Sequence, residues 1–123
     1  MMIGEQSVLD AWLSGVNAGR LDEVVALYDD SAILLPTFSK NILSDHQSIA
    51  DYFKGLSKRG VVSVTLLDNT LSIQALGDSL EAVAGFYDWH FIDEDILFKA
   101  RFSYLTDNEK PSPILHHHSS LLP

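Results

Sequence analysis

Apolar residues recur at helical spacing in the first half of the chain, and this periodicity predicts three helices. The first helix is predicted over residues 7–18, with an apolar face made of Val8, Leu9, Trp12, Leu13 and Val16. Gly19 interrupts the pattern, and a short second helix is predicted over residues 21–28, ending at Asp29 and Asp30. These two helices are expected to pack as a hairpin.

The third helix is specified at both of its ends. It is predicted to begin with a capping box in which Ser44 and Gln47 satisfy free backbone amides. Gly60 follows its last turn and can take the left-handed conformation that closes a helix. The apolar stripe between these ends consists of Ile49, Tyr52, Phe53 and Leu56.

Strand patterns account for the rest of the chain. A brief strand over residues 32–35 is stopped by Pro36, which cannot continue a central ladder. Beyond Gly60, four long strands are predicted over residues 61–76, 80–92, 96–105 and 114–121, because these segments are rich in β-branched and aromatic residues and are separated by turns. The order helix, helix, strand, helix and four antiparallel strands predicts one α+β domain over residues 1–123.

Composition narrows the classes of partner. The chain has 8 basic and 17 acidic residues and a net charge of −9, which argues against a nucleic-acid surface. It contains no cysteine, so disulfides and thiolate metal sites are excluded. No apolar run approaches the ~20 residues of a membrane span, and the N-terminus lacks the pattern of a signal peptide. A cytoplasmic protein with neither a nucleic-acid nor a membrane partner is expected.

Four segments together resemble a known family. They are residues 33–39 (ILLPTFS), 51–53 (DYF), 100–104 (ARFSY) and 116–120 (HHHSS). They are similar to the association domain of calcium/calmodulin-dependent protein kinase II and its stand-alone relatives, in the nuclear-transport-factor-2-like (NTF2-like, SnoaL-like) superfamily. The resemblance implies a cone-shaped α+β barrel, with three N-terminal helices packed on a strongly bent antiparallel sheet and a pocket inside. This scaffold carries isomerases, dehydratases, cyclases, binding proteins and assembly modules, so it names no reaction.

The resemblance also places Arg101 in that pocket. Arg101 and Ser103 share one strand face, and an arginine in an apolar cavity would favour a carboxylate ligand. The family domain has two further pocket arginines, at positions that are Tyr87 and Ser119 here. The alternative is that Arg101 pairs with an internal acid or carbonyl and has only a structural role.

Four more residues complete the predicted ligand pocket. With Tyr87 facing inward, Trp89 faces inward as well, and His117 and Ser119 are expected beside Arg101. Tyr87 could donate to a bound oxygen, or could simply pack as a core aromatic with a satisfied hydroxyl. His117 is a weak candidate for a general base.

The remaining histidines and acids give no catalytic or metal site. His116 and His118 have a spacing that could bind one metal ion, but no third ligand is evident, so neither a metal nor a cofactor is predicted. One face of their strand is instead expected at a subunit interface. No inward carboxylate can be identified, and catalytic residues stay unassigned.

These observations favour a stand-alone homo-oligomeric association module, a homodimer or a higher oligomer, with an internal pocket for a small ligand such as an organic acid. The interface is predicted on an apolar outer sheet face formed by Phe86, Phe98, Phe102 and Tyr104. The main alternative is a small-molecule isomerase, dehydratase or cyclase that uses Tyr87, His117 and Arg101. A partner-binding protein that uses its acidic surface has only the net charge in its favour.

Overall fold

The computed structural model describes residues 4–123, with side chains from Val8 onward. Its helices are α1 (Gly4–Ala18), α2 (Leu21–Val25) and α3 (His46–Ser57). Its strands are β1 (Tyr28–Leu35), β2 (Val62–Ala75), β3 (Leu80–Phe91), β4 (Ile96–Asp107) and β5 (Ile114–Leu121). No helix in this described part is long and apolar enough to cross a membrane.

The strands form one curved sheet in the order β1-β5-β4-β3-β2. Strands β2 to β5 pair with antiparallel neighbours, as the sequence predicts. Strand β1 instead joins the edge of β5 in parallel, so the sheet is mixed rather than purely antiparallel. The helices pack on one face of this sheet, which confirms the α+β class.

Two local predictions are wrong. Helix α2 ends at Val25, and Tyr28 begins β1 instead of closing that helix. Pairing of Tyr28 with Ile114 and burial of its ring outweigh the helical spacing of the sequence. Helix α3 is capped by Asp45, whose side chain accepts a hydrogen bond from the backbone N–H of Ser48 at 2.7 Å, so the predicted capping box does not form.

Two other local features position the helices against the sheet. Gly60 has a φ of +96°, which confirms the left-handed conformation expected after α3. Near the end of α1, the Asn17 side-chain amide donates to the carbonyl of Val64 at 3.0 Å and accepts from its N–H at 2.5 Å. The Asn17 side chain therefore pairs with the backbone of β2 as a neighbouring strand would, and it fixes the C-terminal end of α1 to that strand.

The core lies between the helices and the inner sheet face, and it is unusually aromatic at its centre. Trp12 of α1 stacks on Tyr87 with ring centroids 5.8 Å apart and meets Trp89 edge to face at 5.8 Å. Phe53 of α3 also packs edge to face against Trp12, with ring centroids 6.5 Å apart. The buried aromatic residues in this core are Trp12, Tyr28, Phe53, Tyr87, Trp89, Phe91, Phe102 and Tyr104.

Candidate functional site

A buried chain of hydrogen bonds runs from α1 to β5 through the core. The Trp12 indole donates to the Tyr28 hydroxyl at 3.1 Å, and this hydroxyl lies 2.8 Å from Nδ1 of His117. Tyr28 and His117 therefore share one hydrogen bond, in which either group can donate according to the tautomer of the imidazole. The Nε2 atom of His117 has no hydrogen-bond partner among the described residues.

A second polar group lies on the same inner face. The Tyr87 hydroxyl donates to Oγ of Ser119 at 2.6 Å, and Ser119 also shares a hydrogen bond with the Thr37 hydroxyl. Thr37 follows Pro36 at the end of β1. Ser119 is two residues after His117 on β5, so both side chains lie on the inner face. Two polar clusters therefore meet in the interior, one ending at His117 and the other centred on Ser119.

Burial keeps this interior uncharged. It lowers the pKa of His117 to about 3, with smaller contributions from the neighbouring His116 and His118. Burial also raises the pKa of Tyr87 and of Tyr28 above the ordinary tyrosine value. At neutral pH the imidazole is neutral and both phenols are protonated, so His117 is a poor proton acceptor.

The interior has little free space around these groups. Two voids of about 10 Å³ each adjoin His117, and each is close to the minimum that can hold one water molecule. Trp12 and Tyr87 line both voids, so stacked aromatic side chains fill the centre where the sequence predicts a ligand pocket. The described side chains around His117 and Ser119 therefore leave no room for an organic acid between them.

The predicted inward position of Arg101 and Ser103 is wrong. Tyr87 pairs with Ala100 across β3 and β4, so Ala100 shares the inner face and Arg101 points to the opposite side. Arg101 and Ser103 are exposed, whereas Phe102 and Tyr104 are each only 4% exposed. Phe102 and Tyr104 therefore belong to the core and cannot form an outer interface.

Phe98 also belongs to the inner side. It is half-buried and packs against Phe38 and Phe91, with centroid distances of 5.1 and 5.7 Å. Of the four residues predicted for the outer face, only Phe86 is found there, with 38% of its surface exposed. The apolar character of that face must therefore come from other residues.

The six predicted pocket residues separate into two groups. Tyr87, Trp89, His117 and Ser119 lie together inside, and Arg101 and Ser103 lie on the outer face. The sequence did not identify Tyr28 as part of this site, because its spacing favoured a helix. The sequence analysis also missed Thr37. Its position directly after Pro36, where β1 ends, is a signal that its side chain can reach the interior.

An open groove of about 410 Å³ surrounds Arg101 on the outer face. The Arg101 guanidinium makes no hydrogen bond or ion pair with any residue from 8 to 123, and Phe86 and Ser120 are the cross-strand neighbours of Arg101. Hydroxyl-bearing residues line the same groove, namely Thr70, Ser72, Ser103 and Ser120. The groove therefore combines one free guanidinium with several hydrogen-bond donors.

The histidines of β5 point to different sides. His116 and His118 pair with Leu105 and Ser103 on the outer face, while His117 is buried. Within the described residues no group of three metal-ligating side chains comes together.

Comparisons with known proteins establish the fold. No family model matches the chain, and no curated protein matches it. A Xanthomonas campestris protein provisionally described as a calcium/calmodulin-dependent protein kinase II association domain has a TM-score of 0.85 and 24% identity, over 96% of this chain and 85% of that one. An NTF2-like protein of unknown function from Pseudomonas putida has a TM-score of 0.80 and 15% identity, over 94% and 82% of the two chains.

A third similar structure carries a different description. The Novosphingobium aromaticivorans protein, provisionally described as an aromatic ring hydroxylase, has a TM-score of 0.79 and 11% identity, over 98% of this chain and 87% of that one. At these identities the likeness is one of fold, and it confirms the NTF2-like, cystatin-like architecture predicted from the sequence.

Proposed function

We propose that this chain, with its NTF2-like fold, is an association module that forms a homodimer through the outer face of its sheet. This proposal rests mainly on the outer sheet face, which no described helix covers although it holds large exposed apolar residues. Phe86, Leu97 and Leu105 are 38%, 53% and 37% exposed. A sheet whose two faces both hold large apolar residues favours a partner on its second face.

The charges of this face support a second copy of the chain as the partner. The chain as a whole carries −9, but β3 and β4 present Lys99 and Arg101 outward, with Asp88 lying 3.9 Å from Lys99. Two copies would therefore repel each other less here than through their more acidic surfaces. In a two-fold dimer the same surface of each subunit contacts the other. A face that holds both positive and negative side chains can therefore be complementary to itself.

Replacing Phe86 by glutamate is expected to raise the dimer dissociation constant at least about tenfold, because the new charge would be desolvated near the centre of the interface. Sedimentation equilibrium at micromolar concentration measures the change. Ala11→Glu is the matched control, since it adds the same charge on the exposed side of α1 and should leave the dimer intact. A wild-type protein that is monomeric, or a Phe86→Glu dimer of unchanged affinity, would contradict the proposal.

A small organic acid is proposed as a second partner, at the groove around Arg101 and not inside the cone. This groove lies on the proposed dimer face, so the acid would compete with the second copy of the chain for it. The free guanidinium and the neighbouring hydroxyls of Ser103 and Ser120 support it. Benzoate is expected to bind more tightly than benzamide in calorimetric titration, and Arg101→Met should abolish the difference. Equal affinities for the acid and the amide would show that the guanidinium does not recognise carboxylates.

The enzymatic alternative has no comparable support. An isomerase, dehydratase or cyclase built on Tyr87, His117 and Arg101 requires these three side chains to meet around one substrate. Tyr87 and His117 lie inside the cone, while Arg101 lies on the other side of the sheet. The three residues do not form a common site.

A further inference from the structure

A cavity of about 380 Å³ lies at the end of the cone where α1 and α3 finish, well away from Arg101 and from the Tyr87 hydroxyl. Its volume falls within the range of small-molecule sites. It is lined by Val16, Asn17, Ala18, Gly19, Leu21, Phe53, Leu56, Ser57, Gly60, Val61, Val62 and Asp93. None of the sequence-based site residues belongs to this set.

The floor of the cavity is apolar and rigidly held. It consists of core side chains from α1, α3 and β2, of which Val16, Phe53 and Leu56 are less than a tenth exposed. Phe53 packs against Trp12 and Tyr28, and Asn17 ties the end of α1 to β2. These contacts preform the walls, so an apolar ligand would not need to order them.

The mouth of the cavity is negative for two independent reasons. Helix α1 ends at Ala18 and α3 ends at Ser57, and residues of both last turns line the cavity, so the negative ends of two helix dipoles lie beside it. The Asp93 carboxylate, in the turn between β3 and β4, adds a full charge and has no hydrogen bond or ion pair with the described residues. A cation at the mouth would interact favourably with all three.

Gly60 makes the position of Asp93 possible. Its φ of +96° directs the chain out of α3, and a Cβ at this position would overlap the Asp93 carboxylate. The absent side chain therefore leaves room for the carboxylate against the backbone at the rim. Any larger residue would push Asp93 away from the cavity.

The nearby cations leave this carboxylate uncompensated. The Arg59 guanidinium donates to Glu94 at 2.8 and 2.9 Å and stacks over the Phe91 ring, 3.9 Å from its centroid. It is therefore committed elsewhere. Lys58, at the end of α3, is exposed and forms no ion pair in the described part of the chain.

We propose that this cavity binds a small apolar amine in its ammonium form. The hydrocarbon body of the amine lies on the floor formed by Phe53, Leu56 and Val16. The ammonium group lies at the mouth, against Asp93 and beside the two helix ends, where an anion would be repelled. This site is separate from the proposed dimer face.

The test compares benzylamine with benzyl alcohol by ¹⁵N chemical-shift titration of the whole chain. We expect benzylamine to bind about two- to fivefold more tightly, as fits a partly exposed ion pair, with shifts centred on Gly60 and Val61. Asp93→Asn should remove that preference and keep the affinity for the alcohol. The matched control is Asp78→Asn, in an exposed turn outside the cavity, which should keep the preference.

A second variant tests the cavity itself. Ala18→Phe fills it from the rim without replacing a core side chain, and it should weaken both ligands by more than about tenfold. Equal binding of the amine and the alcohol, a preference that survives Asp93→Asn, or affinities unchanged in Ala18→Phe would each overturn the proposal. Phe86→Glu should leave amine binding unchanged, which separates this result from that of the dimer.

Discussion

Replacing Phe102 by glutamate is expected to abolish folding, with a cost of more than about 4 kcal/mol. Phe102 is 4% exposed and packs against Tyr87, with ring centroids 4.5 Å apart, and stacks on Tyr104 at 5.9 Å. A carboxylate there would be buried among aromatic rings with no cation to pair with it. Circular dichroism and urea denaturation measure the loss.

The matched control is Phe86→Glu. It introduces the same substitution on the other face of the sheet, at a position that is 38% exposed. It should remain folded and lose less than about 1 kcal/mol of monomer stability. A folded, monomeric Phe102→Glu protein, together with an unfolded Phe86→Glu protein, would show that the two faces of the sheet are assigned the wrong way round.

Acidification from pH 7 to pH 5 is expected to destabilise the fold by about 2 kcal/mol through His117 alone. Burial lowers the pKa of His117 to about 3, whereas the unfolded chain takes up the proton near the ordinary value of 6.5. The unfolded state therefore binds more protons between these values. The stabilising effect is complete above about pH 6.5 and is lost progressively as the pH falls toward 3.

Urea denaturation at several pH values between 5 and 7 measures this dependence. His117→Gln should flatten the pH dependence whatever its effect on absolute stability. The hydrogen-bonded Asp29, whose pKa is about 2, titrates below this window and does not obscure it. An unchanged slope in His117→Gln would mean that the imidazole takes up its proton as easily when folded as when unfolded.

The sequence predicted the order of elements because each long segment has a consistent local pattern. The stripe from Ile49 to Leu56 and the left-handed Gly60 define α3, and β-branched runs define the strands. Tyr28 was misplaced because its spacing from Val24 is helical. Only its partner Ile114, 86 positions later, reveals that the chain is already extended at that point.

The orientation of β4 was the main error. The resemblance placed Arg101 inside, which required Phe102 and Tyr104 to face outward. The structure follows the physical preference instead, since burying a guanidinium without a partner costs several kcal/mol while burying two aromatic rings is favourable. For β3 and β5, where the resemblance and the alternation agree, Tyr87, Trp89, His117 and Ser119 all lie inside.

The packed interior could not be predicted from local pattern. Trp12, Phe53 and Tyr87 come from three separate elements, and only their meeting in space shows that they fill the cone. The cavity beside Asp93 is likewise formed by the ends of two helices and a turn. The size of this cavity depends on the distances between these ends in the folded chain. No single segment of the sequence determines those distances.

The outer-face dimer is tested most directly by pulsed electron spin resonance on single nitroxide labels. The chain has no native cysteine, so a single introduced cysteine is the only site for a label. The two variants are Ser103→Cys, on the outer sheet face, and Lys54→Cys, at an exposed position of α3. We predict an intermolecular dipolar signal, with a shorter distance between the two Ser103 labels than between the two Lys54 labels. No intermolecular signal at micromolar concentration, or a shorter distance between the Lys54 labels, would contradict this account.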